Sequence, residues 1–536
     1  MILVYAAEMQ QMDKNTIEVF GIPGGVLMEN AGRGATQWLL ENVSHVAGRR
    51  VGVIAGRGNN GGDGFVMARY LHRMGARVTV YLLSERWRVS GHASANLDLL
   101  EPLEVPVICV PDAETFMQHR ITLSHQELLV DAILGTGLRS EVKGFLRTVI
   151  EFVNTFADSG KPVFAVDIPS GLHADTGQPC GICVKATVTA TFAFAKTGHI
   201  LFPGTDYTGA LRVIDIGIPN HIAEEVYSGK WLLTPSLVAE YIIPRDSTDH
   251  KGVTGHLLVV AGAPGKTGAA AMTAMSAMRV GTGLVTLAVP AGINAVVEPM
   301  VLEAMTLPVG DYGAVTLDEA CVDEILAAAS GKSCMAIGPG IGTDDATQMA
   351  VHRLIEESRV PLVIDADGLN CIAGKTDILK KAGIPVILTP HPGEMARLAN
   401  TTTAAVQENR IQAAQAFAES NNVHVVLKGA GTVIAHPDGR VFINRTGNPG
   451  MASGGMGDVL TGMISGLICQ GYDCGRAARI GTYVHGLTAD LLHHRKGRQG
   501  YLASDVIATV PEALNTLLEA GNTSHAGGFP HTDVLC

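Results

Sequence analysis

A glycine-rich segment near the carboxyl end of the chain, residues 444–462, has the composition of a phosphoryl-transfer site. Its sequence is NRTGNPGMASGGMGDVLTG, and the Gly-Gly-Met-Gly stretch leads into an apolar run that predicts a helix. Backbone N–H groups in such a loop bind anions, and the start of the helix adds partial positive charge. Asp458, at the exit of the loop, is predicted to act as a general base on an acceptor hydroxyl. The simpler alternative is an ordinary acidic residue in a first helical turn.

A second glycine-rich segment, residues 56–64, follows a predicted strand in the first half of the chain. Its sequence is GRGNNGGDG, and a helix is predicted to begin near Phe65. Glycines let the backbone approach a ligand closely, and Asn59, Asn60 and Asp63 add polar side chains. The spacing matches neither the dinucleotide-binding nor the P-loop pattern. A ligand site is still favoured, because a tight turn with a helix cap would use only one or two of these residues.

Two aspartates, Asp131 and Asp167, end predicted apolar strands in the same half. A buried carboxylate is costly unless it pairs with a cation or hydrogen-bonds a ligand. Together with Asn60 and Ser170, these aspartates form an all-oxygen set that suits a hard cation. The alternative, that each aspartate caps the next helix, explains one of them better than both. Lys196 could face a phosphate or could equally be a solvated lysine at a strand end.

Four strand ends in the second half carry polar or glycine-rich segments. Their sequences are GPGIG, DADGLN, TPHPGE and KGAGT, at residues 338–342, 365–370, 389–394 and 428–432. His391 stands between two prolines, which hold it rigidly, and it is predicted to contact a ligand. Lys428 is predicted to contact a nucleotide phosphate, although a turn alone would account for the glycines that follow it.

The composition excludes several classes of protein. With 536 residues, of which 47% are apolar and 17% charged, the chain can form large cores and is not a disordered or coiled-coil protein. A net charge of -12 and an aromatic content of 5% argue against a nucleic-acid partner. The first residues lack a signal-peptide pattern, and the most apolar window, residues 268–290, is interrupted by Arg279. We therefore expect no membrane partner.

The nine cysteines are an odd number scattered along the chain, which predicts free thiols in a reducing, cytoplasmic setting. Cys180 and Cys183 have C-x-x-C spacing. No second pair and no nearby C-x-x-H completes a tetrahedral site, so we expect these two thiols to bind no metal.

The elements that must position these residues alternate between short β-branched runs, glycine-rich turns and helical stretches, as is typical of parallel α/β layers. We predict an α/β fold of two three-layer αβα domains, residues 1–225 and 226–520, and a flexible tail at 521–536. The boundary falls in residues 217–245, where prolines interrupt the alternation. Strands are predicted at 51–55, 78–83, 107–110, 128–132, 163–167, 186–194, 256–261, 284–289, 335–337, 362–365, 386–388, 423–427 and 432–435.

Taken together, the motifs resemble those of the bifunctional NAD(P)H-hydrate repair family over nearly all of residues 1–520. G-x-G-N-N-G-G-D-G, V-D-A-I-L-G-T-G-L and V-D-I-P-S-G-L are similar to the family's Rossmann-like epimerase domain. Its ribokinase-like dehydratase domain is similar in the remaining motifs: G-P-G-I-G, D-A-D-G-L-N, T-P-H-P-G-E, K-G-x-G-T and N-x-T-G-N-P-G-M-A-S-G-G-M-G-D-V-L-T-G.

The resemblance implies repair of the hydrated nicotinamide cofactors NADHX and NADPHX. The first domain would interconvert the R and S epimers at the hydrated ring carbon. The second domain would dehydrate the S form with a phosphoryl group of ADP, which gives NAD(P)H, AMP and phosphate. The resemblance also implies K⁺ in the epimerase domain and Mg²⁺ with ADP. A homo-oligomer is expected.

For the epimerase domain, the resemblance implies two sets of ligand residues. The hydrate would contact Asn59, Asn60, Gly61, Gly62, Asp63, Gly135, Thr136, Gly137, Leu138, Arg139, Ser140, Glu141 and Asp167. The potassium ion would be held by Asn60, Asp131 and Ser170. This second set agrees with the oxygen ligands derived from the strand ends.

For the dehydratase domain, the resemblance implies that the hydrate contacts Ala269, Gly340, His391 and Asp458. The adenine nucleotide would contact Lys428, Gly429, Ala430, Gly431, Thr432 and Gly457. Asp458 would be catalytic, because removing the proton of the hydroxyl allows its phosphorylation, and the ring nitrogen can then expel phosphate. Lys266 and Thr267 stand where the family often has an aromatic residue, which leaves the contact at Ala269 open.

Two alternatives remain at this point. A small-molecule kinase of the hydroxymethylpyrimidine or hydroxyethylthiazole type shares the ribokinase-like fold and a glycine-rich loop with an aspartate. Such a kinase has no use for the first half of the chain, so the repair enzyme is favoured. The other alternative is a binding protein that holds NAD-like ligands without turnover.

Overall fold

Two compact units make up the chain in a computed structural model that describes residues 1–43 and 45–524. The first unit comprises Ile2–Ser228, and the second begins at Gly229. In each unit, short runs rich in Val, Ile, Leu and Ala form a central sheet whose strands are mostly parallel, and helices connect the strands. This architecture confirms the predicted α/β fold class.

Seven parallel strands form the main sheet of the first unit. In spatial order they are Val107–Cys109, Arg77–Leu82, Arg50–Ala55, Leu128–Ala132, Val163–Val166, Val188–Phe192 and Ala210–Ile214. The order reverses between Arg50–Ala55 and Leu128–Ala132, which pair so that Ile54 lies opposite Asp131. The loops that follow two such strands diverge and leave a crevice between them. A separate parallel pair joins Leu3–Val4 to Ala195–Lys196.

Helices pack on both faces of this sheet, because successive strand residues point to opposite sides. Val53 packs in an apolar cluster with Leu39, whereas the next residue, Ile54, packs in a second cluster with Val149. The helices are Ala6–Lys14, Gly24–Asn42, Asn59–Arg73, Gly91–Asp98, Ala113–Ser124, Gly144–Asp158, Thr197–Ile200, Gly204–Thr208 and Asn220–Val226, with a 3-10 turn at Arg86–Arg88. Ala6–Lys14 continues directly into a π-helix, Asn15–Phe20.

Ten strands form the sheet of the second unit. In spatial order they are Lys230–Leu232, Val441–Asn444, Thr432–Ala435, His424–Leu427, Val386–Leu388, Leu362–Ile364, Cys334–Ile337, His256–Val260, Leu284–Pro290 and Met305–Val309. Thr432–Ala435 runs antiparallel to both of its neighbours, and the other neighbouring strands pair in parallel. The order reverses between Cys334–Ile337 and His256–Val260, which places a second crevice there.

The buried helix Met456–Cys469 packs closely on Thr267–Val280 in this unit. Gly462 permits the approach, because a Cβ at this position would clash with the carbonyl oxygen of Thr273. The remaining helices are Pro235–Ala239, Asn294–Val297, Glu319–Ala329, Asp345–Glu357, Asp367–Ile372, Ile378–Lys381, Pro392–Leu398, Thr403–Glu408, Arg410–Asn421, Cys474–Lys496 and Ala503–Ser524. Short 3-10 turns lie at Ala291–Ile293, Glu298–Met300 and Pro449–Met451.

The sequence analysis missed several short elements. Residues 217–245, where the prolines predict a domain boundary, contain the helices Asn220–Val226 and Pro235–Ala239 around the strand Lys230–Leu232. The other strands without a prediction are Leu3–Val4, Ala195–Lys196, Ala210–Ile214, Met305–Val309 and Val441–Asn444. They are short or lie near a sheet edge, so their pairing depends on contacts distant in sequence.

The window at residues 268–290 forms most of the helix Thr267–Val280 and the strand Leu284–Pro290, which confirms the strand predicted at 284–289. None of the helices within residues 1–43 and 45–524 combines the length and the apolar character of a membrane span. The cysteines that the structure describes are free thiols. The last helix continues to Ser524, beyond the predicted start of a flexible tail, and the rest of that predicted tail, residues 525–536, lies outside the described residues.

Candidate active sites

A cavity of about 730 Å³ opens where the strand order of the first unit reverses. The predicted hydrate-binding residues that line it are Asn59, Asn60, Asp63, Gly135, Thr136, Gly137, Leu138 and Asp167. The remaining predicted residues, Gly61, Gly62, Arg139, Ser140 and Glu141, do not belong to the lining of this cavity. Glu141 instead pairs with Lys143 at 2.9 Å, and both side chains are exposed.

The helix beside this cavity begins at Asn59 and not near Phe65, so the sequence prediction of its start was wrong. Gly61 and Gly62 lie in its first turn. A Cβ on Gly62 would lie 2.7 Å from the sulfur of Met28, and a Cβ on Gly61 would clash with the carbonyl of Gly56. These two glycines therefore serve close packing of the helix start.

The predicted cation ligands lie together at the base of the crevice. Ser170 donates to Asp131 twice, from Oγ at 2.6 Å and from its backbone N–H at 2.8 Å. Burial raises the pKa of Asp131 to about 6, although the hydrogen bonds from Ser170 act to lower it. Asn60 donates through Nδ2 to the carbonyl of Leu134, and its buried Oδ1 has no hydrogen-bond partner among the described residues. Oγ of Ser170 lies 3.2 Å from the same carbonyl, and a free amide oxygen, a hydroxyl and a carboxylate are donors that fit a hard cation.

Lys196 is fully buried, so the interpretation as a solvated lysine was wrong. Its ammonium donates to Oδ1 of Asp167 at 2.7 Å, to Oγ1 of Thr191 at 2.9 Å and to the carbonyl of Phe192 at 3.2 Å. Burial acts to raise the pKa of Asp167, but Lys196 outweighs it and holds that pKa below its usual range. Asp167 also has a positive φ of 63°, a costly conformation that the surrounding contacts maintain.

Asp13 lines the same cavity, and the sequence analysis did not single it out. It lies in the helix Ala6–Lys14, whose polar and apolar residues resemble those of any surface helix. Without the fold, no local signal separates Asp13 from an ordinary exposed acid.

In the second unit, Asp458 lies in the first turn of the helix Met456–Cys469, next to a buried ion pair. Lys428 donates to Oδ1 of Asp365 at 2.7 Å, and Thr461 donates to Oδ2 at 2.8 Å. A Cβ on Gly457 would lie 3.4 Å from the ammonium of Lys428, which shows how closely the pair lies against the helix start. Burial raises the pKa of Asp458 to about 7, and the charge of Asp365 adds to this effect.

The segment at residues 444–462 has two structural parts. Its first part is hydrogen-bonded to the helix Cys474–Lys496, in which Asp490 accepts from the backbone N–H of Gly447 and from Nδ2 of Asn448, both at 2.9 Å. Thr446 donates to the carbonyl of Tyr483 at 2.9 Å. This first part anchors the loop. The second part, with Gly455 at a φ of 90°, turns the chain into the helix that carries Asp458.

Arg410 stabilises the start of the loop at residues 428–432 through hydrogen bonds to the backbone. This buried side chain donates to the carbonyls of Leu427 and Lys428 at 3.0 and 3.1 Å. Thr432 donates to the carbonyl of Gly429 at 3.0 Å and closes the turn. The loop has Gly429 and Gly431 at positive φ, so its glycines are required by the turn itself.

His391 is the N-cap of the helix Pro392–Leu398, and its Nδ1 accepts from the N–H of Gly393 at 3.0 Å. Its side chain is 52% exposed, and its Nε2 lies 3.5 Å from Oε1 of Glu394. The backbone of His391 donates to Glu394 at 2.7 Å, and Glu394 lies 3.9 Å from Lys428. His391 is thus connected through Glu394 to the charged residues near Asp458, which are Lys428, Asp365 and Glu394. No role was predicted for Glu394 or Asp365.

Ala269 and Gly340 meet where the strand order of the second unit reverses. A Cβ on Gly340 would lie 3.3 Å from the Cβ of Ala269. Lys266 donates to Asp367 at 2.8 Å, and Asp367 also accepts from the N–H of Gly342 at 3.0 Å. The lysine that replaces the expected aromatic residue therefore joins two loops through Asp367.

Comparison with known proteins separates the same two halves. A family model described as NAD(P)H-hydrate dehydratase matches residues 257–512, and a model of the YjeF-related protein N-terminus matches residues 24–198. The bifunctional NAD(P)H-hydrate repair enzyme Nnr of Moorella thermoacetica is 41% identical over 99% of this chain and 99% of its own. The chain belongs to the bifunctional NAD(P)H-hydrate repair enzyme family.

Another relative in this family, from Escherichia coli (strain K12), is 32% identical over 95% of this chain and 93% of its own. Among solved structures, an ADP/ATP-dependent NAD(P)H-hydrate dehydratase from Bacillus subtilis, co-crystallised with ATP/Mg²⁺, is 31% identical, with a TM-score of 0.47. It covers 54% of this chain and 98% of its own. Membership of the NAD(P)H-hydrate repair family confirms the predicted pairing of an epimerase half with a dehydratase half.

Proposed function

We propose that the two sites carry out the two reactions of this family in sequence. The first unit interconverts the R and S epimers of NADHX and NADPHX. The second unit dehydrates the S epimer at the expense of ADP, which gives NAD(P)H, AMP and phosphate. The observation that carries this proposal is the position of Asp458, a half-buried acid at the exit of a glycine-rich loop and beside the pair Lys428–Asp365.

In the first unit, the hydrated ring occupies the cavity between Asn59, Gly135 and Asp167. Asn60, Asp131 and Ser170 would hold a potassium ion, which supplies positive charge that offsets the buried carboxylate. The unpartnered Oδ1 of Asn60 and the raised pKa of Asp131, caused by burial, support this assignment. These three residues would come from the helix Asn59–Arg73, the strand Leu128–Ala132 and the loop that follows Val163–Val166.

In the second unit, Ala269, Gly340 and His391 contact the hydrate, and the loop from Lys428 to Thr432 with Gly457 contacts the adenine nucleotide. Mg²⁺ enters bound to the phosphates of ADP, as part of the substrate. Asp365 already neutralises the charge of Lys428. Lys428 therefore contributes to nucleotide binding mainly as a hydrogen-bond donor held in a fixed position, and less as a net positive charge.

Asp458 removes the proton of the hydroxyl group as the oxygen attacks the β-phosphorus of ADP and AMP departs. The hydroxyl, a poor leaving group, becomes a phosphate ester. The lone pair of the ring nitrogen then expels phosphate, and loss of a proton from the neighbouring carbon restores the ring double bond. The backbone N–H groups of the loop before Asp458 stabilise the charge that develops on the transferred group.

The test is to incubate the purified chain with mixed NADHX epimers and ADP and to follow NADH absorbance. Complete consumption of both epimers, with one AMP and one phosphate per NADH, is expected. Accumulation of a phosphorylated vitamin precursor from a pyrimidine or thiazole alcohol would favour the small-molecule kinase. Tight binding of the hydrates without any NADH would favour the binding protein.

The substrates form from the nicotinamide cofactors of the cell, so the cytoplasm is the proposed place of action. A homo-oligomer is proposed as the assembled state, and light scattering on the full chain measures it directly.

A further inference from the structure

Four acidic side chains line the cavity of the first unit or its base, and they differ in their partners. Asp131 accepts from Ser170, and Asp167 accepts from Lys196. The carboxyl groups of Asp13 and Asp63 make no hydrogen bond or ion pair with any residue in 1–43 or 45–524. Asp63 is only 8% exposed and lines the cavity, as does Asp13. A buried polar group without a partner is costly, and a ligand in the cavity would provide one.

Burial and the surrounding charges shift the pKa values of these two acids to different extents. Burial raises the pKa of Asp63 well above its usual range, and the charges of Asp167 and Asp13 add to this effect. Burial raises the pKa of Asp13 only to about 6, because Lys196 acts to lower it. The surroundings of Asp63 therefore favour its neutral form, whereas Asp13 is mostly ionised at neutral pH. Arg57 and His92 are the other titratable groups that line the cavity.

Lys196 cannot take either role, because its three ammonium protons are directed at Asp167, Thr191 and Phe192. Asp167 is a weak base for the same reason, since Lys196 stabilises its ionised form. Among the carboxyl groups at this cavity, those of Asp13 and Asp63 are the two that make no hydrogen bond or ion pair with the described residues, so they are free to exchange a proton with a ligand.

On the basis of the proposed epimerase activity, we propose that Asp63 and Asp13 are the acid and the base that transfer protons during epimerisation. Two carboxyl groups that line one cavity, of which one has surroundings that favour its neutral form, form the arrangement that acid–base catalysis requires. They come from different helices, Asn59–Arg73 and Ala6–Lys14, and both line the cavity. Asp13 has no role in the binding sets described above.

The step balances as loss and return of water. Asp63 donates its proton to the hydroxyl oxygen on the hydrated carbon, the C–O bond breaks, and its electron pair leaves with the oxygen as water. The lone pair of the ring nitrogen forms a C=N bond. Water then adds to the opposite face, the C=N pair returns to nitrogen, and Asp13 takes the released proton. After the step Asp63 is ionised and Asp13 is protonated, and proton exchange with water restores the starting state. In the reverse reaction Asp13 is the acid and Asp63 is the base.

The experiment uses the full chain with purified (R)-NADHX in the absence of ADP, so that only epimerisation is measured. Chromatography separates the two epimers. Asp63→Asn and Asp13→Asn should each lower kcat by about 10²-fold or more, with KM for (R)-NADHX little changed. Glu18→Gln is the matched control, because Glu18 is an exposed acid that follows the same helix. This control should epimerise at the wild-type rate.

The same variants supplied with (S)-NADHX and ADP should form NADH at the wild-type rate. A wild-type chain that does not epimerise would reject the proposed function itself. A wild-type chain that epimerises, with both Asn variants retaining its rate, would reject only the acid–base assignment.

Two measurements on the wild-type chain do not depend on how the variants fold. In ¹⁸O-water, each epimerised molecule should gain one ¹⁸O atom, and an unlabelled S product would reject the water-loss step. After subtraction of the uncatalysed rate, epimerisation should rise through about pH 6 as Asp13 becomes ionised. A rate that is flat between pH 5 and pH 8 would overturn the role of Asp13.

Discussion

Lys428 donates a 2.7 Å hydrogen bond to the buried carboxylate of Asp365, which follows the strand Leu362–Ile364. The first unit has an equivalent relationship, in which Lys196 lies 2.7 Å from Asp167. In both units, a lysine from a later part of the chain neutralises an aspartate at the end of a parallel strand. Each pair then influences the pKa of a nearby acid that makes no ion pair among the described residues. This acid is Asp458 in the second unit and Asp63 in the first.

The dehydratase reaction should depend on pH through Asp458. Burial raises the pKa of this carboxyl to about 7, and a general base must be ionised to act. The rate of NADH formation from (S)-NADHX should therefore increase as the pH is raised through about 7, and it should be low at more acidic pH. Lys428→Met should move this limb to higher pH, because the charge of Lys428 lowers the pKa of Asp458. Lys375→Met, at an exposed position of the same unit, should leave the profile unchanged.

Asp458→Asn should separate chemistry from binding in the second unit. The amide keeps the shape of the loop and cannot accept the proton, so NADH formation should fall by about 10²-fold or more. Binding of ADP, measured by calorimetry, and epimerisation by the same variant should persist. Near-normal NADH production would identify a different base.

The pair Lys196–Asp167 should be important for the stability of the first unit. Its side chains are 1% and 16% exposed, and Lys196→Met leaves an uncompensated carboxylate. We expect a loss of about 3–5 kcal/mol in the free energy of unfolding of this unit. The double variant Lys196→Met, Asp167→Asn should recover part of the loss. Lys185→Met, which breaks an exposed pair with Asp158, should cost no more than about 1 kcal/mol.

Asp131→Ala should weaken the response of epimerisation to potassium. The wild-type chain should epimerise faster in KCl than in an equal concentration of tetramethylammonium chloride. The variant should lose this difference and bind (R)-NADHX less tightly, while its dehydratase rate is unchanged. Asp98→Ala, at an exposed acid of the same unit, is the control. Unaltered potassium dependence in Asp131→Ala would contradict the proposed ion site.

The two units should function separately. The chain divides between Ser228 and Gly229, within the segment where the sequence alternation breaks. Fragments 1–228 and 229–536, expressed separately, should be folded and should carry epimerase and dehydratase activity, respectively. Insoluble or inactive fragments would show that each unit needs the other.

The parts of the fold and of the sites that could be predicted are those with local signals. Strands such as Leu128–Ala132 are short apolar runs before glycine-rich turns, and Asp131 and Asp458 stand at the ends of such segments. Other features depend on residues far apart in sequence. They are the burial of Lys196, the pairing of Lys428 with Asp365 and the position of Asp13 in the cavity wall. No local pattern encodes those contacts, so the sequence alone could not reveal them.

The π-helix Asn15–Phe20 starts two positions after Asp13 and has a consequence for register. A turn of this kind accommodates one residue more than an α-helical turn. Deleting a single residue from it would convert the turn to a regular α-helical turn, so the helix Ala6–Lys14 would keep its orientation and Asp13 would still face the cavity. A single deletion within Ala6–Lys14 has no wide turn to absorb it and would rotate the residues on one side of it by about 100° relative to those on the other. A one-residue gap in an aligned sequence therefore preserves the cavity wall when it falls in Asn15–Phe20 and alters that wall when it falls in the helix before it.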